Sequence, residues 1–435
     1  MQKMQKYRAL IILLFLLIIS SFFRLYRIED YMTFLGDEGR DVLVVYNILH
    51  GGLTLLGPTA SVGGFFLGPI YYYFMVPFLW LFDYSPVGPA VMVAIFGVAT
   101  ILLIYKIGKE FFSIHVGLVA SLIYAISPLV IIHSRSSWNP NLMPFFSLLT
   151  LYILYKALNK NSLRLLILTG FLLGITMQLH YLSIFLGVII AAYIFLSRLH
   201  LCQGVTFATK VFRTIKEYIF VLLGFIVGWS PFLAFEVRHG FSNITSIFNF
   251  VFNSGETGSN SHFFKITNDV FFRLFGRLVT NFPEPERLSV YTKTDITLWY
   301  YFTILLGAVS TFVLVFKWFK AYKEHSLGFN KYNLLLIWLI LGVGLFGFYK
   351  KSIYDYYFGF MSPLPFFIVG IFITSLWRSR FGKIFSILIL LSILWLNYLG
   401  APYKAPANRQ LRQAETISRF VLSKTDSKPF NFALI

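Results

Sequence analysis

The chain has 435 residues, 57% of them hydrophobic and 13% charged, with 37 Lys and Arg against 18 Asp and Glu for a net charge of +19. A soluble domain is typically roughly 45 to 50% apolar and about 25% charged, so a water-soluble fold is excluded, and the basic excess belongs to membrane topology rather than to nucleic acid. The single cysteine, Cys202, rules out a disulfide framework and a thiolate metal cluster.

In chain order, apolar runs near the roughly 20 residues that a membrane-crossing helix needs recur about eleven times. They fall at 9–23, 86–105, 116–132, 142–155, 165–177, 182–196, 218–235, 298–316, 334–348, 358–377 and 384–399. The first has no small-residue cleavage site before Arg24, so it reads as a retained span. Segment 65–82 is also apolar, but Pro69 and Pro77 interrupt it and Tyr71, Tyr72, Tyr73 and Trp80 load it with interfacial aromatics, which predicts a juxtamembrane or re-entrant piece. With the N-terminus in the cytoplasm, 19 of the 37 basic residues but only Glu110, Glu217 and Glu324 of the acids fall on the cytoplasmic side. That bias fixes the orientation.

The expected organisation is a transmembrane unit over 1–400 with two long outer loops, 24–85 and 236–297, followed by an outer tail over 401–435. The apolar alternation at 430–435 predicts the start of a strand, as if a small outer domain continued beyond it. Loops longer than about 15 residues usually carry function, and the cytoplasmic connections hold no glycine-rich phosphate loop.

The first outer loop contains Gly36-Asp37-Glu38-Gly39-Arg40-Asp41, an acidic turn feeding a short surface helix. Carboxylates at a helix start stay ionised in the field of its dipole, and Arg40, three residues after Asp37, lies within pairing reach. Such a pair suits a base that takes a proton while an anion departs beside it; the alternative is an ordinary solvated cap. The outer turn at 133–141 holds Arg135, Trp138, Asn139 and Asn141, and the next holds Gln178, His180 and Tyr181. Either turn could be a capped hairpin or a cavity wall. Lys350 and Lys351, close to Tyr354 and Asp355, face outward against the general bias and suit a lipid phosphate. Segment 262–282 reads as an amphipathic interfacial helix, with Phe264, Phe271 and Phe275 on one stripe and Arg273 and Arg277 away from it, attached to anionic lipid. The histidines show no metal-ligand spacing, and no Gly-x-Ser-x-Gly elbow occurs.

A first span, then Asp37-Glu38-x-Arg40, then Gly68-Pro69-Ile70-Tyr71-Tyr72, resembles the polyprenyl-phosphate-dependent glycosyltransferases of the GT-C fold, nearest the protein O-mannosyltransferase and lipid A aminoarabinose transferase group. The run 118–128 is similar to that family's third helix ending in Ser-Pro, and Lys351-Ser352-Ile353-Tyr354 followed by Pro363 to its Lys-x-x-Tyr element. The resemblance implies an all-α polytopic membrane protein of a prokaryotic cell envelope. It would move a sugar from a polyprenyl-phosphate donor to a lipid, glycan or protein acceptor on the outer face, with inversion at the anomeric carbon. It further implies Asp37 and Glu38 as the catalytic carboxylates, Arg40, Arg135, Lys350 and Lys351 as donor-phosphate contacts, and His180, Tyr181, Trp138, Asn139 and Tyr354 as cavity walls. A divalent metal is compatible with that chemistry. One departure is that many relatives carry an aspartate after the third helix, where this chain has Asn139 and Asn141. A lipid-linked sugar flippase and an inactive scaffold of polysaccharide assembly are the competing readings; a flippase calls for charged or broken helices near mid-membrane.

Overall fold

The computed structural model describes residues 2–201, 206–259, 261–326, 328–425 and 428–429. Its helices begin with α1 (Gln2–Leu25), α2 (Ile28–Tyr31), α3 (Gly36–Leu49), α4 (Ile70–Leu81), α5 (Val87–Phe111), α6 (Ile114–Ile126) and α7 (Pro128–His133). There follow α8 (Met143–Lys160), α9 (Leu163–Leu179), α10 (Ser183–Leu201), α11 (Phe207–Gly228), α12 (Ser230–Arg238), α13 (Ser242–Phe248) and α14 (Phe263–Gly276). The last are α15 (Lys293–Lys323), α16 (Phe329–Gly344), α17 (Leu364–Leu376), α18 (Arg380–Leu399) and α19 (Gln410–Lys424). Among the described residues the β pairing amounts to two isolated bridges, Thr59 with Phe66 and Thr257 with Tyr349.

Each of the eleven apolar runs is largely helical. Six of these are long and apolar enough to cross a bilayer, seven if the bent pair α11–α12 counts as one span. Three expected spans are broken, the run at 358–377 at the turn before Leu364, where α17 begins. The run at 218–235 bends by 72° between α11 and α12, so only its first part continues the bundle direction. The run at 116–132 divides at Ser127-Pro128, where proline removes a backbone donor. Segment 65–82 yields α4, whose 12 residues rise about 18 Å, well short of a hydrocarbon core of about 30 Å.

Helix starts at the tight turns follow from side-chain capping. The hydroxyls of Ser113, Ser162, Thr206 and Ser379 accept from backbone amides of the first turns of α6, α9, α11 and α18. Asn161 stops α8 in the left-handed conformation, at φ 49°. Apolar residues coat the outside of the bundle, such as Ile11 and Phe15 on α1, Leu305 and Phe312 on α15, and Leu388 and Leu391 on α18, all at least half exposed and left for lipid to cover. By contrast α17 is buried continuously from Leu364 to Ile373, which makes it the central helix.

The tightest pairing joins α9 and α11, which run parallel. Gly170 and Gly174 on one meet Gly224 and Gly228 on the other, so backbones approach with no side chain between them. A Cβ on Gly170 would lie 1.8 Å from the Val221 carbonyl oxygen, and one on Gly224 would lie 1.9 Å from that of Ile167. Gly224→Val therefore has to force the helices apart, and we expect a stability loss of about 1–3 kcal/mol, the usual cost of overpacking, read as a lower unfolding temperature in detergent. An unchanged temperature would mean that the pair does not hold the bundle.

The long loops fold onto one end of the bundle and onto each other. Residues 57–68 form a small hairpin that turns at Gly63 and Gly64, both at positive φ. Gln178, at the end of α9, donates to the Gly228 carbonyl and accepts from the Ile70 amide, tying α9 to α11 and to the start of α4. From the second loop, Asn243 donates to the buried Glu236 and accepts from the Phe66 amide. The tail contributes α19, docked through Leu411, with the Arg409 amide donating to the Asp30 carbonyl. The strand expected at 430–435 lies outside the described residues.

Candidate active site

The acidic turn forms the first turn of α3. Glu38 reaches back to accept the Leu35 amide at 3.0 Å and is buried, which pushes its carboxyl above the usual range despite that hydrogen bond. It caps the helix. Asp37 points outward, half exposed, and accepts from Arg40 at 2.9 Å. The other edge of the Arg40 guanidinium donates to Asp41 at 2.9 and 2.7 Å. Asp41 is fully buried and also accepts the Tyr72 hydroxyl at 3.1 Å. Burial drives its carboxyl up to about 6, against the pull of Arg40 and Tyr72. One arginine thus spans an exposed and a buried carboxylate while remaining 40% exposed itself.

Asp37 and Arg40 form one wall of a hollow of about 210 Å³. The hairpin at 58–61 covers it, and Trp138, Asn139, His180, Tyr181 and Tyr356 complete the lining. Six residues picked from sequence, scattered between 37 and 181, therefore meet at one place. Asn139 is fixed by donating to the Leu179 carbonyl at 2.5 Å. His180 stacks on Tyr181 at 4.5 Å and accepts the Leu182 amide, while burial pushes its imidazole down to about 3. A neutral imidazole serves as a wall and a hydrogen-bonding group, not as a cation for phosphate. Trp138 meets Tyr356 edge to face at 4.5 Å, so the hollow has the aromatic sides and polar floor that suit a sugar ring.

The remaining residues picked from sequence lie elsewhere. Arg135 is buried beside α1, donates to the Tyr26 carbonyl at 2.9 Å and sits 4.6 Å from the centre of the Tyr31 ring; it does not line the hollow. Tyr354 stacks on Tyr356 behind the wall. Lys351 pairs with Glu256 at 2.6 Å, and the Lys350 amide donates to the Glu256 carbonyl. Both lysines follow Tyr349, whose hydroxyl lies 3.4 Å from that of Tyr181.

A second cavity, of about 390 Å³, adjoins the first and is almost wholly apolar. Phe65, Phe185, Trp229, Phe232 and Phe250 line its depth, and the exposed Ile184 and Val188 mark where it opens on the flank of the bundle. Leu67 and Tyr181 belong to both cavities.

The segment carrying Tyr356 is held by an ion cluster that sequence reasoning missed. Asp355 accepts from Arg273 at 3.1 Å and from Arg277 at 2.7 Å, and Arg277 also grips Glu284. Burial raises the Asp355 carboxyl, but the two guanidinium groups outweigh it and leave it below the usual range. The reading of 262–282 as a lipid-attached helix is corrected accordingly: Arg273 and Arg277 face protein, at 21% and 12% side-chain exposure. Of the expected apolar stripe, Phe275 is buried against protein while Phe264 is 79% exposed. Among the described residues no cluster of three His, Cys, Asp or Glu side chains is arranged to hold a metal ion.

The chain is thus a helical bundle with an acidic turn in its first long loop and further loops folded over one end. Residues 67–235 match the family model described as dolichyl-phosphate-mannose-protein mannosyltransferase. The archaeal oligosaccharyltransferase AglB from Archaeoglobus fulgidus, solved with an inhibitory peptide and a dolichol-phosphate, is similar over 99% of this chain at a TM-score of 0.57 and 15% identity. This chain spans 62% of that protein's length. ArnT from Cupriavidus metallidurans, solved bound to undecaprenyl phosphate, is similar over 98% of this chain and 81% of its own, at a TM-score of 0.62 and 12% identity. No curated protein sequence matches. These matches bear out the resemblance to GT-C glycosyltransferases, and the structural likenesses establish the fold.

Proposed function

We propose that the protein is a membrane glycosyltransferase that moves a sugar from a polyprenyl-phosphate donor to an acceptor at the non-cytoplasmic face. The observation that carries this reading is the junction of the two cavities: an apolar groove open to the bilayer meets, at Leu67 and Tyr181, a polar hollow with one carboxylate and one arginine on its wall. A lipid-linked sugar has that same division between an isoprenoid chain and a polar head. The dolichol-phosphate and undecaprenyl phosphate found with AglB and ArnT support the donor class.

In this mechanism Asp37 takes the proton from the acceptor as its oxygen or nitrogen attacks the anomeric carbon. The bond from that carbon to the phosphate oxygen breaks on the opposite side, which inverts the configuration, and the electron pair leaves with the polyprenyl phosphate. Arg40 meets the developing phosphate charge, held in place by the buried Asp41. Asp41 and Tyr72 act here as positioning residues. Lys351 is held by Glu256 and neither Lys350 nor Lys351 lines either cavity, so the phosphate contact in this mechanism rests on Arg40. The bias of basic residues toward the other end of the bundle supports an outward-facing site.

Cells lacking the protein should accumulate one polyprenyl-phosphate sugar several-fold, measured by mass spectrometry of extracted lipids. Its mass identifies the sugar. An unchanged lipid profile, together with no transfer by the purified protein from the same extract, would count against the reading.

A further inference from the structure

At the end of the bundle away from Asp37, α17 gives way to Arg378, Lys317 comes from the last turns of α15, Lys331 from the first turn of α16, and Ser113 and His115 from the start of α6. Together they surround a cavity of about 300 Å³ that has no carboxylate in its lining. Acids at this end are taken by other bases: Glu110 pairs with Lys156, Glu324 with Lys320, and Glu217 with Arg198 and Arg213. Among the described residues, none of these acids forms an ion pair with Lys317, Lys331 or Arg378. The Lys331 ammonium is half-buried and lies 5.4 and 5.6 Å from the ring centres of Phe112 and Tyr332, contacts that orient it without neutralising it.

Three cations converging on one partly enclosed space repel each other unless an anion joins them. The Thr374 and Ser375 hydroxyls donate to their own helix, so they add no anion-binding donors. The first turn of α6, the positive end of its dipole, borders the same space through Ser113, His115 and Val116. Val116, Ile371 and Trp377 supply an apolar wall beside the charges. Basic pockets between membrane helices on the cytoplasmic side commonly hold lipid headgroups.

We propose that this cavity is a binding site for a phosphate-bearing anion, gripped by Lys317, Lys331 and Arg378, and separate from the transfer site. A phospholipid headgroup and a soluble phosphate share that chemistry, and the apolar wall beside the cations suits the former. Nothing in the proposal depends on the transferase reading.

The test is thermal unfolding of the full-length protein in neutral detergent, with added phosphatidylglycerol, phosphatidylcholine or inorganic phosphate. Phosphatidylglycerol should raise the unfolding temperature by a few degrees through binding to the folded state, and phosphatidylcholine should not. The Lys331→Gln/Arg378→Gln variant should lose more than half of that shift. Lys160→Gln, a basic residue outside the cavity, should keep it. Because the double variant relieves repulsion, its unfolding temperature without lipid should equal or exceed that of the parent, so a lost shift cannot be put down to misfolding. An equal shift with inorganic phosphate, lost in the same variant, makes the occupant a soluble phosphate and still supports the site. No shift with either anion, or a full shift in the double variant, overturns it.

Discussion

Asp37→Asn should lower sugar transfer by about a hundredfold to ten-thousandfold, the usual worth of a positioned general base. Asp37 is the one carboxylate among the residues lining the hollow, so no second base stands by to replace it. The amide is nearly isosteric and still accepts from Arg40, so donor binding should change little and the loss should appear in kcat. The check is transfer by purified protein in vesicles charged with lipid extract. A variant working at the parental rate removes Asp37 from the chemistry, whereas a loss confined to donor KM would recast it as a binding group.

Asp355→Asn should cost about 3 kcal/mol of stability, since it leaves the guanidinium groups of Arg273 and Arg277 without their shared partner in a largely buried place. The remaining acids, Asp269 and Glu284, are more exposed, at 55% and 47%, and compensate only in part. Tyr356, the next residue in the chain, lines the hollow, so transfer should fall along with the unfolding temperature. Removing the charges together, in Asp355→Asn/Arg273→Gln/Arg277→Gln, should restore part of the stability, because the cost comes from unpaired cations. If the triple variant is less stable than the sum of its parts, the cluster is held by packing instead.

Most of the helical frame was legible because hydrophobic length is a local property. The acidic turn at Asp37 and the aromatic and amide residues at 138–139 and 180–181 stood out as polar groups in a greasy chain, and six of them do converge. What escaped was whatever depends on the partner across the gap. The period of 262–282 tells which side chains share a face but not whether that face meets lipid or protein, so Arg273 and Arg277 read as lipid-facing until Asp355 came to meet them. Asp41 was in plain view in the motif, yet a carboxylate's burial cannot be read from its neighbours in sequence. The bend after Gly228 was passed over because hydropathy runs on through Trp229 and Phe232, although Pro231 at the start of α12 marks the break.

The sharing of Arg40 between two acids has a kinetic corollary. On the proposed chemistry, the instant Asp37 gains a proton it gives up its charge and with it part of its grip on one arm of the guanidinium, while the other arm stays anchored to Asp41. The first arm is loosened as negative charge builds on the departing lipid. Nucleophile activation and leaving-group capture would then be geared through a single side chain, with no loop having to swing between them.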